Sequence, residues 1–124
     1  MVYDSQIKFG TLILGGTGNN SITTIRRNQV PGSIKTKDGS GTWVITPIPG
    51  RSKDVRIEIT GNLKGTNRDA DRATLKGYEN DVRRLEDGID NGDYIIIPDT
   101  LIFHDDARNK TVYEYSMVLL AWNQ

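Results

Sequence analysis

The chain has 124 residues, enough for a single domain (residues 1–124) around one hydrophobic core. It contains no cysteine, which excludes disulfide bonds, thiolate nucleophiles and thiolate metal sites. The 16 basic residues balance the 16 acidic ones, whereas a nucleic-acid-binding protein normally shows a basic excess. No apolar run approaches the roughly 18 residues that span a bilayer, so we expect a protein without membrane contact.

The first part of the chain predicts two β-hairpins. Residues 6–14 form a strand candidate, and a glycine-rich turn over residues 15–20 leads to the β-branched residues 22–25. A second hairpin is predicted around residues 37–41, because Asp38-Gly39 lies between two β-rich runs and glycine adopts the positive φ that a tight turn needs. Residues 54–60 then alternate between apolar and polar side chains, which is typical of a half-buried strand.

One amphipathic helix is predicted over about residues 67–87. Its apolar side chains, Leu75, Tyr78, Val82 and Leu85, follow the three-and-four spacing of a single helical stripe. Asn67 or Thr66 is the candidate N-cap. Because a helix with one apolar face must bury it, we expect this helix to lie against a sheet.

The remainder of the chain again predicts strands. Candidates cover residues 94–97, 101–103 and 111–122, and the polar residues 104–110 predict a loop. The predicted fold class is therefore α+β and mainly β: an antiparallel β-sandwich or split barrel with a single helix packed against it.

Three polar motifs are candidates for a catalytic, cofactor or metal site, but a purely structural role explains each of them better. The glycine-rich residues 15–18 resemble a dinucleotide-binding turn, but β-branched residues follow where a helix should begin. The oxygen ligands Asp87, Asp90, Asn91 and Asp93 lack the spacing of a calcium loop. The only histidine, His104, precedes two aspartates without further ligands nearby in sequence. We therefore predict no catalytic residue, no cofactor and no metal site.

Aromatic residues on the predicted strands form a fourth candidate site. Exposed aromatic rings on a sheet stack nucleobases in RNA-binding proteins, yet Glu114 rather than a basic residue separates Tyr113 from Tyr115. Core packing or subunit contact explains the aromatic residues better. A small β-barrel that binds a nucleic acid or another ligand remains the alternative function.

The order of these elements resembles a known protein family. An early hairpin, an Asp-Gly turn, the strand at residues 54–60, one helix and a long terminal strand are similar to the module of bacteriophage tail-tube subunits, distal tail proteins and baseplate components. The resemblance implies a virion tail protein made in the host cytoplasm, with no enzymatic activity. It also implies a ring-forming subunit, of which a hexamer is one example, that contacts adjacent tail or baseplate proteins and touches DNA only passively in a lumen.

The charge distribution fits self-assembly. Residues 1–64 contain nine basic and four acidic residues, whereas residues 65–124 contain seven and twelve. If the fold separates these halves, copies can meet head to tail. The predicted inter-subunit contacts are the second hairpin and residues 1–8, and the hairpin candidates are Lys35, Lys37, Asp38, Ser40 and Trp43.

Overall fold

Strands dominate the computed structural model, which describes residues 7–15, 20–48, 50, 52–64, 66–86, 91–106 and 109–122. Within these residues there are ten strands and one α-helix. In chain order they are β1 (Ile7–Phe9), β2 (Leu12–Gly15), β3 (Ser21–Val30), β4 (Ser33–Lys37), β5 (Trp43–Pro47), β6 (Asp54–Leu63), α1 (Arg68–Gly77), β7 (Arg83–Glu86), β8 (Gly92–Ile96), β9 (Ile102–Asp106) and β10 (Asn109–Ala121). The predicted fold class, α+β and mainly β with a single helix, is confirmed for the described residues.

Eight strands form one antiparallel sheet. The hydrogen-bonded order is β2-β1-β7-β8-β10-β6-β3, and β9 pairs with β10 beside β8. The long strand β10 makes this branching possible, since its end at Leu119–Ala121 pairs with β8 and its middle at Glu114–Ser116 pairs with β9. The two ends of this strand order, β2 and the start of β3, lie close together. Between them, the Asn20 side chain donates a 2.9 Å hydrogen bond to the Ile13 carbonyl.

The predicted continuous strand over residues 6–14 and its hairpin with residues 22–25 are wrong, because the chain turns back at Gly10 and Thr11 to form the β1–β2 hairpin and β3 pairs with β6. Gly10 has a φ of +63°, a value that costs glycine little. Its N–H donates a 2.7 Å hydrogen bond to the Arg84 carbonyl, and a side chain there would meet the Tyr78 ring. The turn is therefore fixed by a segment more than 60 residues away in sequence.

The helix is shorter than predicted. The range 67–87 is corrected to α1 at Arg68–Gly77 followed by a 3-10 turn at Tyr78–Asn80. Asn67 occupies the N-cap position, but its side chain makes no capping hydrogen bond. Leu85, predicted on the helical stripe, lies on β7 between β1 and β8. Strand pairing on both sides satisfies the backbone of these residues, so tertiary contacts override the helical spacing.

The polar loop predicted over residues 104–110 is also partly wrong. β9 continues to Asp106 and β10 begins at Asn109, so most of this segment belongs to a hairpin. The hairpin around residues 37–41 and the strand at residues 54–60 are confirmed, although β6 continues to Leu63. The positive φ expected at Gly39 occurs instead at Gly41.

Two apolar clusters occupy opposite faces of the sheet. The larger contains Leu75 of α1 and Tyr78 of the 3-10 turn together with the inward side chains of most strands. The smaller lies under the β4–β5 hairpin, where Trp43 covers Ile95 and Leu120. On β8, Tyr94 and Ile96 belong to the larger cluster and Ile95, which lies between them, belongs to the smaller one. This is the alternation expected of a strand, whose successive side chains point to opposite faces of the sheet. The helix thus closes one face and the hairpin closes part of the other.

Candidate interaction surface

The β4–β5 hairpin is the strongest candidate for a functional surface. Its two strands pair only with each other among the described residues, in a register that sets Ile34 opposite Thr46 and Thr36 opposite Val44. Alternation along each strand then gives the hairpin an inner face toward the sheet and an outer face toward solvent.

The tip of the hairpin is organised by Asp38. Its carboxylate accepts hydrogen bonds from the Ser40 hydroxyl at 2.7 Å, the Ser40 N–H at 2.9 Å and the Thr42 N–H at 3.0 Å. These bonds, led by the one from the Ser40 hydroxyl, hold the pKa of Asp38 below its usual value of 3.8. Gly41 follows with a φ of +86°. The turn therefore has a defined shape although its side chains are exposed.

A buried ion pair joins the inner face of the hairpin to the start of β6. The Lys35 ammonium lies 2.7 Å from the Asp54 carboxylate, and the Ser33 hydroxyl donates a 2.9 Å hydrogen bond to the same oxygen. Both charged side chains are essentially excluded from solvent. Such a pair is stable only when its partners are held in good geometry, so it fixes the position of the hairpin on the sheet.

Trp43 forms the second anchor. Its ring is buried and packs against Trp122 with 5.2 Å between centroids, and the Lys37 ammonium lies 4.8 Å from its centre. An ammonium at this distance is attracted to the electron-rich face of the ring. Lys35 and Trp43, two of the predicted contact residues, therefore lie inside the subunit, whereas Lys37, Asp38 and Ser40 are exposed at the tip.

The outer face of the hairpin consists of β-branched side chains. Ile34 is 44% exposed and Val44 is 42% exposed, and Thr36 and Thr46 are exposed beside them. Ile34 and Val44 are not among the contact residues predicted from the sequence. Ile34 lies between the buried residues Ser33 and Lys35, and Val44 follows the buried Trp43, so strand alternation could have identified Ile34 and Val44 as outward-facing. Because the charged Lys35 is buried and the apolar Ile34 is exposed, however, the usual pattern of apolar inside and polar outside is reversed.

The other motifs considered as catalytic, cofactor or metal sites do not form a site among the described residues. Residues 16–18 of the glycine turn, and Asp87 and Asp90 of the acidic turn, are outside the described residues. His104 is exposed on β9, opposite Glu114 of β10. In the part of the chain that the structure describes, no three metal-ligating side chains gather into a group. No helix there is long and apolar enough to cross a membrane.

The aromatic residues serve mainly in packing. Tyr94 and Tyr115 are buried in the larger cluster. The hydroxyl of Tyr115 has no hydrogen-bond partner among the described residues, and burial raises its pKa well above 10.0. At the margin of the same cluster, the Arg72 guanidinium lies 4.7 Å from the Phe103 ring and 4.9 Å from the Tyr113 ring. The Tyr113 hydroxyl also donates a hydrogen bond to Asp69, which ties α1 to the β9–β10 hairpin.

A shallow groove of about 390 Å³ crosses the outward side of β3, β6 and β10. Its lining is rich in hydroxyl groups, and its ionisable side chains are Arg26 and Glu58. The hydroxyl groups are those of Thr24, Thr60, Thr100 and Ser116. This groove can offer hydrogen bonds to a neighbouring surface.

Comparison with known proteins gives a distant likeness. No family model matches the chain, and no curated protein matches it. One solved structure, described as the virion of a native gene transfer agent (GTA) particle, contains a chain with a TM-score of 0.49 and 15% sequence identity. The alignment covers 98% of the present chain and 92% of that one.

Proposed function

We propose that this chain is a non-enzymatic structural subunit of a phage or phage-like tail or baseplate. In this proposal it self-associates into a ring and also contacts adjacent tail or baseplate proteins. The resemblance in element order supports this class, and the observed fold retains the paired hairpin, the single helix and the long terminal strand. Its position in a virion tail, and its identity as a tube, distal tail or baseplate component, belong to the same proposal.

One observation carries the proposal: an anchored hairpin that exposes apolar side chains. A flexible loop could hide Ile34 and Val44 by rearranging, but the Lys35–Asp54 pair and the buried Trp43 hold β4 and β5 on the sheet. Exposed apolar surface on a rigid element is typical of a protein contact. A second subunit that covers this face would also supply partners for the open edges of the two strands.

The test is self-association measured by light scattering over a wide concentration range. We expect the wild-type protein to form a closed oligomer and the Ile34→Asp/Val44→Asp variant to associate at least about tenfold more weakly, because assembly would bury two unpaired carboxylates. The matched control is Ala70→Asp/Ala73→Asp, which adds the same charge to exposed positions of α1. A wild-type protein that stays monomeric at every concentration would refute the proposal.

The predicted contacts of residues 1–8 remain a prediction, since residues 1–6 lie outside the described part of the chain. A variant that lacks residues 1–6 tests them in the same assay. Binding to single-stranded oligonucleotides, measured at low and high salt, tests the alternative ligand-binding function. Strong and salt-dependent binding would favour that alternative over a structural role.

A further inference from the structure

The buried Lys35–Asp54 pair differs from the ion pairs at the surface. Its two side chains are 0% and 1% exposed, whereas both side chains of the Arg83–Asp81 pair are 42% exposed. Taking two charges out of water has a large free-energy cost, and apolar side chains of similar volume often replace such a pair without loss of stability. Holding the hairpin on the sheet therefore does not by itself require an amine and a carboxyl group at this position.

An amine and a carboxyl group are the two components of an amide bond. In water both are charged and do not react, because an ammonium group has no lone pair with which to attack. In a site without water the separated charges are disfavoured, and transfer of one proton from Lys35 to Asp54 gives a neutral amine beside a neutral carboxyl group. A neutral lysine amine is a nucleophile. The pair thus holds a nucleophile against an electrophilic carbon.

The two groups are already placed for reaction. The Lys35 Nζ atom lies 2.7 Å from Asp54 Oδ2, which is bonded to the carbon, Cγ, that the amine would attack. The Ser33 hydroxyl donates a 2.9 Å hydrogen bond to the same oxygen and can stabilise it as it leaves. Well-oriented groups within one molecule can react as though present at about 10⁵–10⁸ M, which favours condensation.

We propose that Lys35 and Asp54 become joined by an intramolecular amide bond. The Nζ lone pair attacks Cγ and forms the C–N bond, and the bond from Cγ to Oδ2 breaks. The oxygen leaves as water and carries away two of the three protons of the original ammonium group. The ion pair is the precursor of this bond, and the reaction needs no oxidant, metal or other molecule.

The bond would connect two parts of the sheet structure that have no strand pairing between them. β4 pairs with β5 in the two-stranded sheet, whereas β6 lies between β10 and β3 in the eight-stranded sheet. Lys35 and Asp54 are 19 residues apart in sequence, so the bond closes a loop that contains the rest of the hairpin. It forms within one copy and is therefore independent of the proposed self-association.

Mass spectrometry of the denatured protein tests the bond directly, because an ion pair separates on denaturation and an amide does not. We expect the wild-type chain to be lighter than its sequence by the mass of one water molecule. Lys35→Arg should have its full sequence mass, since a guanidinium keeps the positive charge but stays protonated. Lys37→Arg is the matched control, at an exposed position of the same strand, and should lose water like the wild-type protein. A wild-type chain of full mass would mean that Lys35 and Asp54 form an ion pair only.

The position of the bond must also be established, because an Asp-Gly step such as Asp38-Gly39 loses water when it forms a cyclic imide. Trypsin cleaves after Lys and Arg, but not after a lysine whose amine is acylated. The proposed bond therefore predicts one branched peptide in which residues 28–37 are joined to residues 54–56. Separate peptides 28–35 and 54–56, with the loss of water located at Asp38, would overturn the proposal.

Asp54→Ala identifies the partner of the lysine. This variant has no electrophilic carbon at position 54, so we expect trypsin to cleave after Lys35 and to release only linear peptides. If Lys35 is still acylated in Asp54→Ala, the bond to Asp54 is wrong. None of these outcomes depends on the oligomeric state, so failure of the amide bond leaves the proposed structural role standing, and a monomeric protein can still carry the bond.

Discussion

Lys35 shows how strongly one residue depends on its tertiary surroundings. By sequence it is one of several charged residues in a hairpin, and it was a natural candidate for contact with a neighbour. In the structure its side chain is buried against Asp54, 19 residues further along the chain. Lys35 therefore holds the hairpin on the sheet, and a contact role for the exposed tip residues Lys37, Asp38 and Ser40 stays a prediction.

Removing the Lys35 charge should destabilise the subunit strongly. In Lys35→Met the Asp54 carboxylate would remain buried without its ammonium partner, and such losses cost about 3–5 kcal/mol. Lys37→Met is the control, because Lys37 is exposed and its loss should change the free energy of unfolding by less than about 1 kcal/mol. Urea denaturation of both variants measures the difference. Equal stability would mean that the buried pair does not anchor the hairpin.

At the scale of secondary-structure elements, the sequence predicts the wrong backbone conformation for residues 83–86. The spacing of Val82 and Leu85 continues the stripe of Leu75 and Tyr78 and therefore predicts a longer helix. The chain instead forms β7, because β1 and β8 offer hydrogen bonds on both sides of it. Leu85 is buried in either arrangement. The apolar pattern thus identified the buried residue correctly and the backbone conformation wrongly.

Strand β6 depends on close approach at Gly61. A methyl group there would lie 2.5 Å from the Ser21 carbonyl oxygen and 2.9 Å from the Tyr115 hydroxyl. Gly61→Ala should therefore force the strands or the ring apart and cost about 1–3 kcal/mol. Gly39→Ala is the matched control, since a methyl group there has no neighbour within 4 Å. Thermal unfolding compares the two, and equal melting temperatures would contradict the packing argument.

At the scale of the whole molecule, the two halves of opposite charge are interleaved in one sheet. The basic first half contributes β1, β2, β3 and β6, and the acidic second half contributes β7, β8, β9 and β10. In the strand order β2-β1-β7-β8-β10-β6-β3 the first-half strands lie at both ends, so the fold does not place the two halves on separate surfaces. Electrostatic attraction between copies would therefore depend on local patches of charge.

Assembly through charged patches should weaken with salt. Raising the NaCl concentration from about 0.05 M to about 0.5 M shortens the screening length severalfold, so the attraction between exposed opposite charges decreases. We expect sedimentation velocity to show a shift toward smaller species in the wild-type protein. Assembly that strengthens with salt would indicate that the apolar hairpin face dominates the contact.

The sequence by itself determined the class of fold, because strand alternation, the Asp38-Gly39 turn and the first turns of a helix are encoded by neighbouring residues. It also indicated a division of charge and gave no convergent catalytic set. The tertiary structure alone decided that Gly10 splits the first strand, that residues 83–86 form β7, and that Lys35 is buried. Each of these depends on a partner distant in sequence. The strand order of the sheet likewise depends on pairing between distant segments, which local patterns do not specify.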